Sequence, residues 1–76
     1  MSFVGHIPAN DDWVAQLFSA KAVTTNGVVR RKTRDVERKI GHHRLEMEVR
    51  RRGFRLIEAG DQLIVICTRD PIRVLV

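Results

Sequence analysis

A basic helix end, a glycine stop and two apolar strands joined by a short turn, together residues 45–67, constrain this chain more than any other stretch. The helical part reads Leu45-Glu46-Met47-Glu48-Val49-Arg50-Arg51-Arg52. It carries Glu46–Arg50 and Glu48–Arg52 at i,i+4 with the acid first, the orientation that supports a helix better. Gly53 accepts the left-handed conformation that ends a helix, and Phe54 can fold back onto the last turn. Phe54 to Glu58 and Gln62 to Thr68 then read as a β-hairpin across Ala59-Gly60-Asp61. The second strand is apolar on both faces and rich in β-branched residues, so it is expected at the centre of a sheet with both faces covered or nearly so.

The rest of the chain must fold around that unit. Residues 1–9 read as a lead-in closed by Pro8. Asn10 is a good helix N-cap, and Asp11 and Asp12 suit the positive end of a helix dipole. Trp13, Val14, Leu17 and Phe18 make two i,i+4 apolar pairs, which predicts a first helix from about Asp11 to Lys21. Thr24-Thr25-Asn26-Gly27 is turn chemistry, because Asn-Gly tolerates positive φ. Val28 to Lys32 reads as a short strand that its charge confines to a sheet edge. Thr33 is a candidate cap for a second helix holding Val36 and Ile40.

Gly41 leaves two readings. Either the helix continues and Val36, Ile40, His43 and Met47 form one stripe, or Gly41 breaks it and a new helix begins near His43 with Leu45 and Val49 inward. The break is preferred. The five-residue spacing from Ile40 to Leu45 shifts the helical phase, and a mid-helix glycine costs about 1 kcal/mol. Beyond the hairpin, Thr68-Arg69-Asp70-Pro71 is a turn. Ile72, Val74 and Val76 alternate with Arg73 and Leu75, which predicts that the sequence closes inside a third strand. The expectation is one α+β domain over residues 1–76. It has an N-terminal amphipathic helix, one or two central helices and a small, mainly antiparallel sheet of three or four strands from the C-terminal half.

Composition narrows function by exclusion. At 76 residues the chain holds one small core, because a domain this size buries only about 60–65% of its unfolded surface. One cysteine excludes an internal disulfide framework and a cysteine-rich zinc site. The first six residues have neither the basic nor the apolar region of a signal peptide. Residues 63–67, the longest apolar run, are far short of the roughly 20 needed to span a bilayer. A cytoplasmic location and no membrane partner are the expectations. Charge is uneven: residues 30–55 hold eleven Lys and Arg against Asp35, Glu37, Glu46 and Glu48, a local net charge of +7, while each flank is −1. Such a focus attracts polyanions by long-range attraction and counterion release.

Two clusters supply that charge: Arg30, Arg31, Lys32 and Arg34, and Arg50, Arg51, Arg52 and Arg55. Their functional reading is phosphate contact. Their structural reading is a solvated face, and for residues 50–52 cations that complement the dipole and carbonyls of a helix end. His42-His43 lacks a second Cys/His pair at zinc spacing. Cys67 closes an apolar run and reads as a buried thiol. Trp13 and Phe18 could stack on bases, but their helical spacing assigns them to the core. The glycines are isolated and form no phosphate loop, no catalytic constellation stands out, and no cofactor is implied.

The order helix, strand, helix, Gly41 turn, helix, hairpin resembles a winged-helix domain. That resemblance implies that the helix at 43–52 is a recognition helix and that 54–67 forms the wing. The pattern departs at Glu37, where helix-turn-helix motifs usually hold a small residue, and at Arg50, where they hold an apolar one. Residues 45–76 also resemble small mRNA-interferase toxins with a double-stranded-RNA-binding-like fold. Their Gly-Ser-His motif is here Gly60-Asp61-Gln62, so the catalytic His is missing and ribonuclease activity is not implied. The whole chain is similar to short bacterial proteins of this length, which implies no activity. The residues favour a non-enzymatic nucleic-acid-binding module contacting phosphates through the eight cations of the two clusters. The alternative is a protein-interaction or homodimer module using the edge strand Ile72 to Val76.

Overall fold

A computed structural model describes residues 8–19 and 21–76. Seven elements follow in order: α1 Pro8–Phe18, α2 Lys21–Thr24, β1 Val28–Lys32, α3 Thr33–Lys39, α4 His42–Arg51, β2 Arg55–Ala59 and β3 Gln62–Ile66. The lead-in over residues 1–7 lies outside the described residues. Helix α1 starts at Pro8, in keeping with proline's preference for a first helical position, so Asn10 lies inside the helix and is not its cap. The helix also stops short of the expected Lys21. The Ser19 hydroxyl and N–H both donate to the Gln16 carbonyl, at 3.0 and 3.3 Å, closing the last turn, and Lys21 opens α2 instead. Hydroxyls of Thr24 and Thr25 donate to the Lys21 carbonyl and end α2 in the same way. Asn26 then turns the chain at φ +56°.

The break at Gly41 is present. Ile40 and Gly41 both donate to the Val36 carbonyl, at 2.9 and 2.8 Å, and close α3. Gly41 lies at φ +83°, ψ 153°, a region essentially reserved for glycine, and α4 starts one residue later. Leu45 and Val49 face the core while His43 and Met47 are exposed, so the continuous stripe is not formed. Thr33 is not a cap: it is the first residue of α3, and Lys32 occupies the cap position without a side-chain bond. The end of α4 follows the expected pattern. Gly53, at φ +75°, donates to Arg50 O at 3.0 Å, and Phe54 donates to Val49 O at 3.1 Å, which returns the buried Phe54 ring to the helix.

The sheet is antiparallel, in the order β1-β3-β2. Val29 pairs with Val65 and Arg31 with Leu63; on the other side, Leu56 pairs with Val65 and Glu58 with Leu63. These residues share the inner face. The core gathers Val29, Leu63 and Val65 from that face with Leu17 of α1, Val36 of α3, Leu45 and Val49 of α4, Phe54 and Cys67. Trp13, Phe18, Val23, Ile40 and Leu56 pack at its margin.

Two strand expectations are corrected. β3 is central, but among the described residues it is covered on one face only: Leu63 and Val65 are buried, while Gln62, Ile64 and Ile66 on the outer face are half-buried. Residues 72–76 form no strand, and the place expected for them beside β3 is taken by β1 from the first half of the chain. β1 is fixed at both ends: Cys67 N–H donates to Gly27 O at 2.9 Å and Thr33 N–H to Asp61 O at 2.8 Å.

A Cβ at Gly41 would meet nothing within 4 Å, so only its backbone conformation resists substitution. Gly41→Ala is expected to lower unfolding free energy by about 1–3 kcal/mol, read by urea denaturation. An unchanged midpoint would show that the α3–α4 junction does not need this geometry.

Candidate nucleic-acid interface

Helix α4 has one face in the core and one in solvent. Leu45 and Val49 point inward, and the outward positions are His43, Met47, which is 57% exposed, Arg50 and Arg51. Between the two faces lies Glu48, whose side chain is only 13% exposed. It holds Arg52 Nη1 at 2.7 Å and Arg51 Nη2 at 2.8 Å, with Arg44 Nε at 3.5 Å. Arg44 also bonds Asp11 of α1 at 2.7 Å. Arg52 donates to the Glu48 carbonyl at 3.0 Å, and its guanidinium lies 3.8 Å from the Phe18 ring centre. Burial pushes the Glu48 carboxyl up, but the Arg52 hydrogen bond and the charges of Arg51, Arg52 and Arg44 outweigh it and leave the carboxyl below its ordinary value. The Asp11 hydrogen bond raises the Arg44 guanidinium against the opposing effect of burial.

The arginine triplet is therefore divided. Arg52 joins α4 to α1, Arg51 shares the Glu48 carboxylate, and only Arg50 has no carboxylate within 4.0 Å among the described residues. Arg30, Arg31, Lys32, Arg34 and Arg55 are likewise exposed and without such a partner among the described residues. Arg31 instead donates to the Arg30 carbonyl at 2.6 Å. Arg38 is paired with Asp35 at 3.0 Å.

The sheet separates the six unpaired candidates into two groups. Arg30 and Lys32 lie on the outer face of β1, while Arg31 is on the inner face and Arg34 follows in α3. Arg55 is on the outer face of β2, two strand spacings or roughly 10 Å across β3. Arg50 and Arg55 both border a cleft of about 380 Å³ between α4 and β2, whose lining includes Phe54, Leu56 and Leu63. On its rim His42 Nδ1 lies 2.8 Å from Glu46 Oε2. Neither this cleft nor the Glu48 hub was identified from sequence. The hub has a sequence signal, since Arg44, Arg51 and Arg52 stand at i−4, i+3 and i+4 from Glu48; the cleft, set by how α4 packs against β2 and β3, has none.

Cys67 is buried, burial pushes its thiol up, and its Sγ faces the Val65 carbonyl at 3.8 Å, an environment that disfavours the reactive thiolate. Trp13 and Phe18 pack against the core. Among the described residues no three His, Cys, Asp or Glu gather as a metal set, and no helix is long and apolar enough to cross a membrane. Comparison with family models, with curated proteins and with solved structures gives no significant match to this chain.

A carboxyl held below its unfolded value stabilises the fold fully above the ordinary glutamate value of about 4.3, and that contribution disappears as pH falls through the folded value. Glu48→Gln is expected to lose about 2 kcal/mol at neutral pH. Its deficit against the parent chain should shrink toward zero as the medium is acidified below the ordinary value. Urea denaturation across that range reads both, and a deficit constant with pH would contradict the role given to Glu48.

Proposed function

We propose that this chain is a non-enzymatic nucleic-acid-binding module that contacts phosphates through Arg30, Arg31, Lys32, Arg34, Arg50 and Arg55. The observation that supports it is that these six exposed cations have no carboxylate partner among the described residues, within a segment of net charge +7. Unpaired cations release condensed counterions when they meet a polyanion, which gives affinity without sequence readout. Helix α4 adds an outward face of His43, Met47 and Arg50, at the i, i+4, i+7 spacing of a helix that lies in a groove. On the winged-helix resemblance α4 is the recognition helix. The hairpin turn supplies no cation, since Glu58 and Asp61 flank Gly60. Attraction is therefore concentrated on α4, the start of β2 and β1. Arg52 is left out of the contact set because Glu48 and Phe18 already hold it, and Arg51 is a weaker contributor because it shares Glu48.

A second reading is self-association or protein interaction through residues 72–76. It is favoured by Val74 and Leu75, which are 87% and 82% exposed, apolar and paired with no strand among the described residues.

Fluorescence titration against duplex DNA and duplex RNA at stepped salt tests the first reading. Affinity should fall linearly with salt on logarithmic axes. Arg50→Ala and Arg30→Ala should each reduce that slope by about 1, whereas Arg52→Ala should lower folding stability and leave the slope nearly unchanged. Absence of binding at low salt would overturn the proposal.

A further inference from the structure

We propose that two copies of this chain associate by strand addition, residues 72–76 of one copy pairing antiparallel with the free edge of β2 in the other. The proposal rests on the self-association reading and gives it a partner edge and a register. β2 is an edge strand, so one row of its N–H and C=O groups faces no strand among the described residues. Neither proline nor lysine interrupts Arg55–Ala59 to blunt that edge. Residues 72–76 are exposed, belong to no helix or turn, and set Ile72, Val74 and Val76 against Arg73 and Leu75 at the alternation an added strand requires.

Side-chain chemistry selects the register. Antiparallel pairing with Arg73 opposite Glu58 sets Val74 opposite Ile57 and Leu75 opposite Leu56. Directly opposed residues share a sheet face, so Leu75 and Arg73 fall on the inner side with Leu56 and Glu58. Both of those residues line the cleft between α4 and β2, and Leu75 would lie over its lining of Phe54, Leu56 and Leu63. Glu58 is exposed and has no cationic partner among the described residues, and Arg73 would supply one. On the outer side Ile72, Val74 and Val76 would continue the apolar surface of Ile57, Ile64 and Ile66, of which Ile57 is exposed and the other two half-buried. A one-residue slip exchanges the faces and puts Arg73 on the apolar outer side.

The other candidate edges fit worse. On the free edge of β1, aligning 72–76 antiparallel with 28–32 sets Arg73 opposite Arg31, and like charges directly opposed are destabilising. Within its own copy the segment begins at the wrong end of β2. Ile66 pairs with Arg55, and Arg69 Nε donates to Arg52 O at 3.0 Å, so the chain leaves β3 beside the start of β2, and a segment that continues directly along the edge from there runs parallel to it. In that direction Arg73 no longer faces Glu58. A second copy meets the edge from the opposite direction, and a reciprocal exchange closes as a two-fold dimer. β1, with Arg30, Arg31 and Lys32, is at the far edge of the sheet and is left open.

Sedimentation velocity of the full chain over a wide concentration range tests this, with Arg73→Glu, Glu58→Arg and the double variant beside the parent. Both residues are exposed, so neither change threatens the core. The expected result is a concentration-dependent dimer, weakened about tenfold in Kd by each single change and restored to within about threefold in the double, because each dimer holds two such pairs. A monomer at every concentration, as when the segment folds onto its own copy or awaits a different protein, would overturn the proposal together with the self-association reading. A dimer indifferent to both changes, or one weakened by each and not restored in the double, would overturn this register while leaving self-association in place.

Discussion

The described residues supply helices to only one face of the sheet, and most of the structure follows from that limit. β3 is central, yet only Leu63 and Val65 on one side of it are fully buried. Helices α1, α3 and α4 all turn their apolar residues to that side, through Leu17, Val36, Leu45 and Val49. A core of this size leaves little tolerance in the placement of α4, and two glycines with positive φ set where it begins and where it stops. The opposite face keeps Val28 and Ile57 exposed beside Ile64 and Ile66, an apolar surface that the described residues do not cover.

The charge of the middle third is organised by the same packing. Glu48 sits at the boundary of core and solvent on α4, where low exposure strengthens its attraction for Arg44, Arg51 and Arg52. Through Arg44 to Asp11 and through Arg52 to Phe18, that carboxylate ties α4 to α1. The cations left over among the described residues are those whose positions give them no carboxylate: β1, Arg34 and Lys39 at the two ends of α3, the outward side of α4 at Arg50, and the first residue of β2. A formal charge count overstates the surface free to meet a polyanion, and the pairing pattern says where that surface is.

The class of fold, the Gly41 break, the Gly53 stop, the hairpin and the β1 edge strand were legible because each is written in local chemistry: phase shifts, positive-φ glycines, turn residues, alternation. The third strand was less so. Residues 28–32 and 72–76 each suggest a strand, and local pattern does not say which of them lies beside β3. That choice is made by contacts at the ends of β1, from Gly27 to Cys67 and from Thr33 to Asp61, distant in sequence. The same limit applied to the arginines. Glu48–Arg52 is visible as an i,i+4 pair, but Arg44–Asp11 joins residues 33 apart in sequence. The helix-end reading of the arginine triplet holds for Arg52, which donates to the carbonyl of Glu48, while Arg50 keeps no carboxylate partner among the described residues.

The central claim is that the basic segment is divided between arginines that hold the fold together and arginines that face outward without a partner. Arginine Nε–Hε resonances, followed by NMR while a short nucleic-acid duplex is added, test it most directly. The account predicts that the signals of Arg30, Arg50 and Arg55 shift at the first additions while those of Arg44 and Arg52 hold their positions. Early movement of Arg44 and Arg52, with Arg30, Arg50 and Arg55 unmoved, would contradict it.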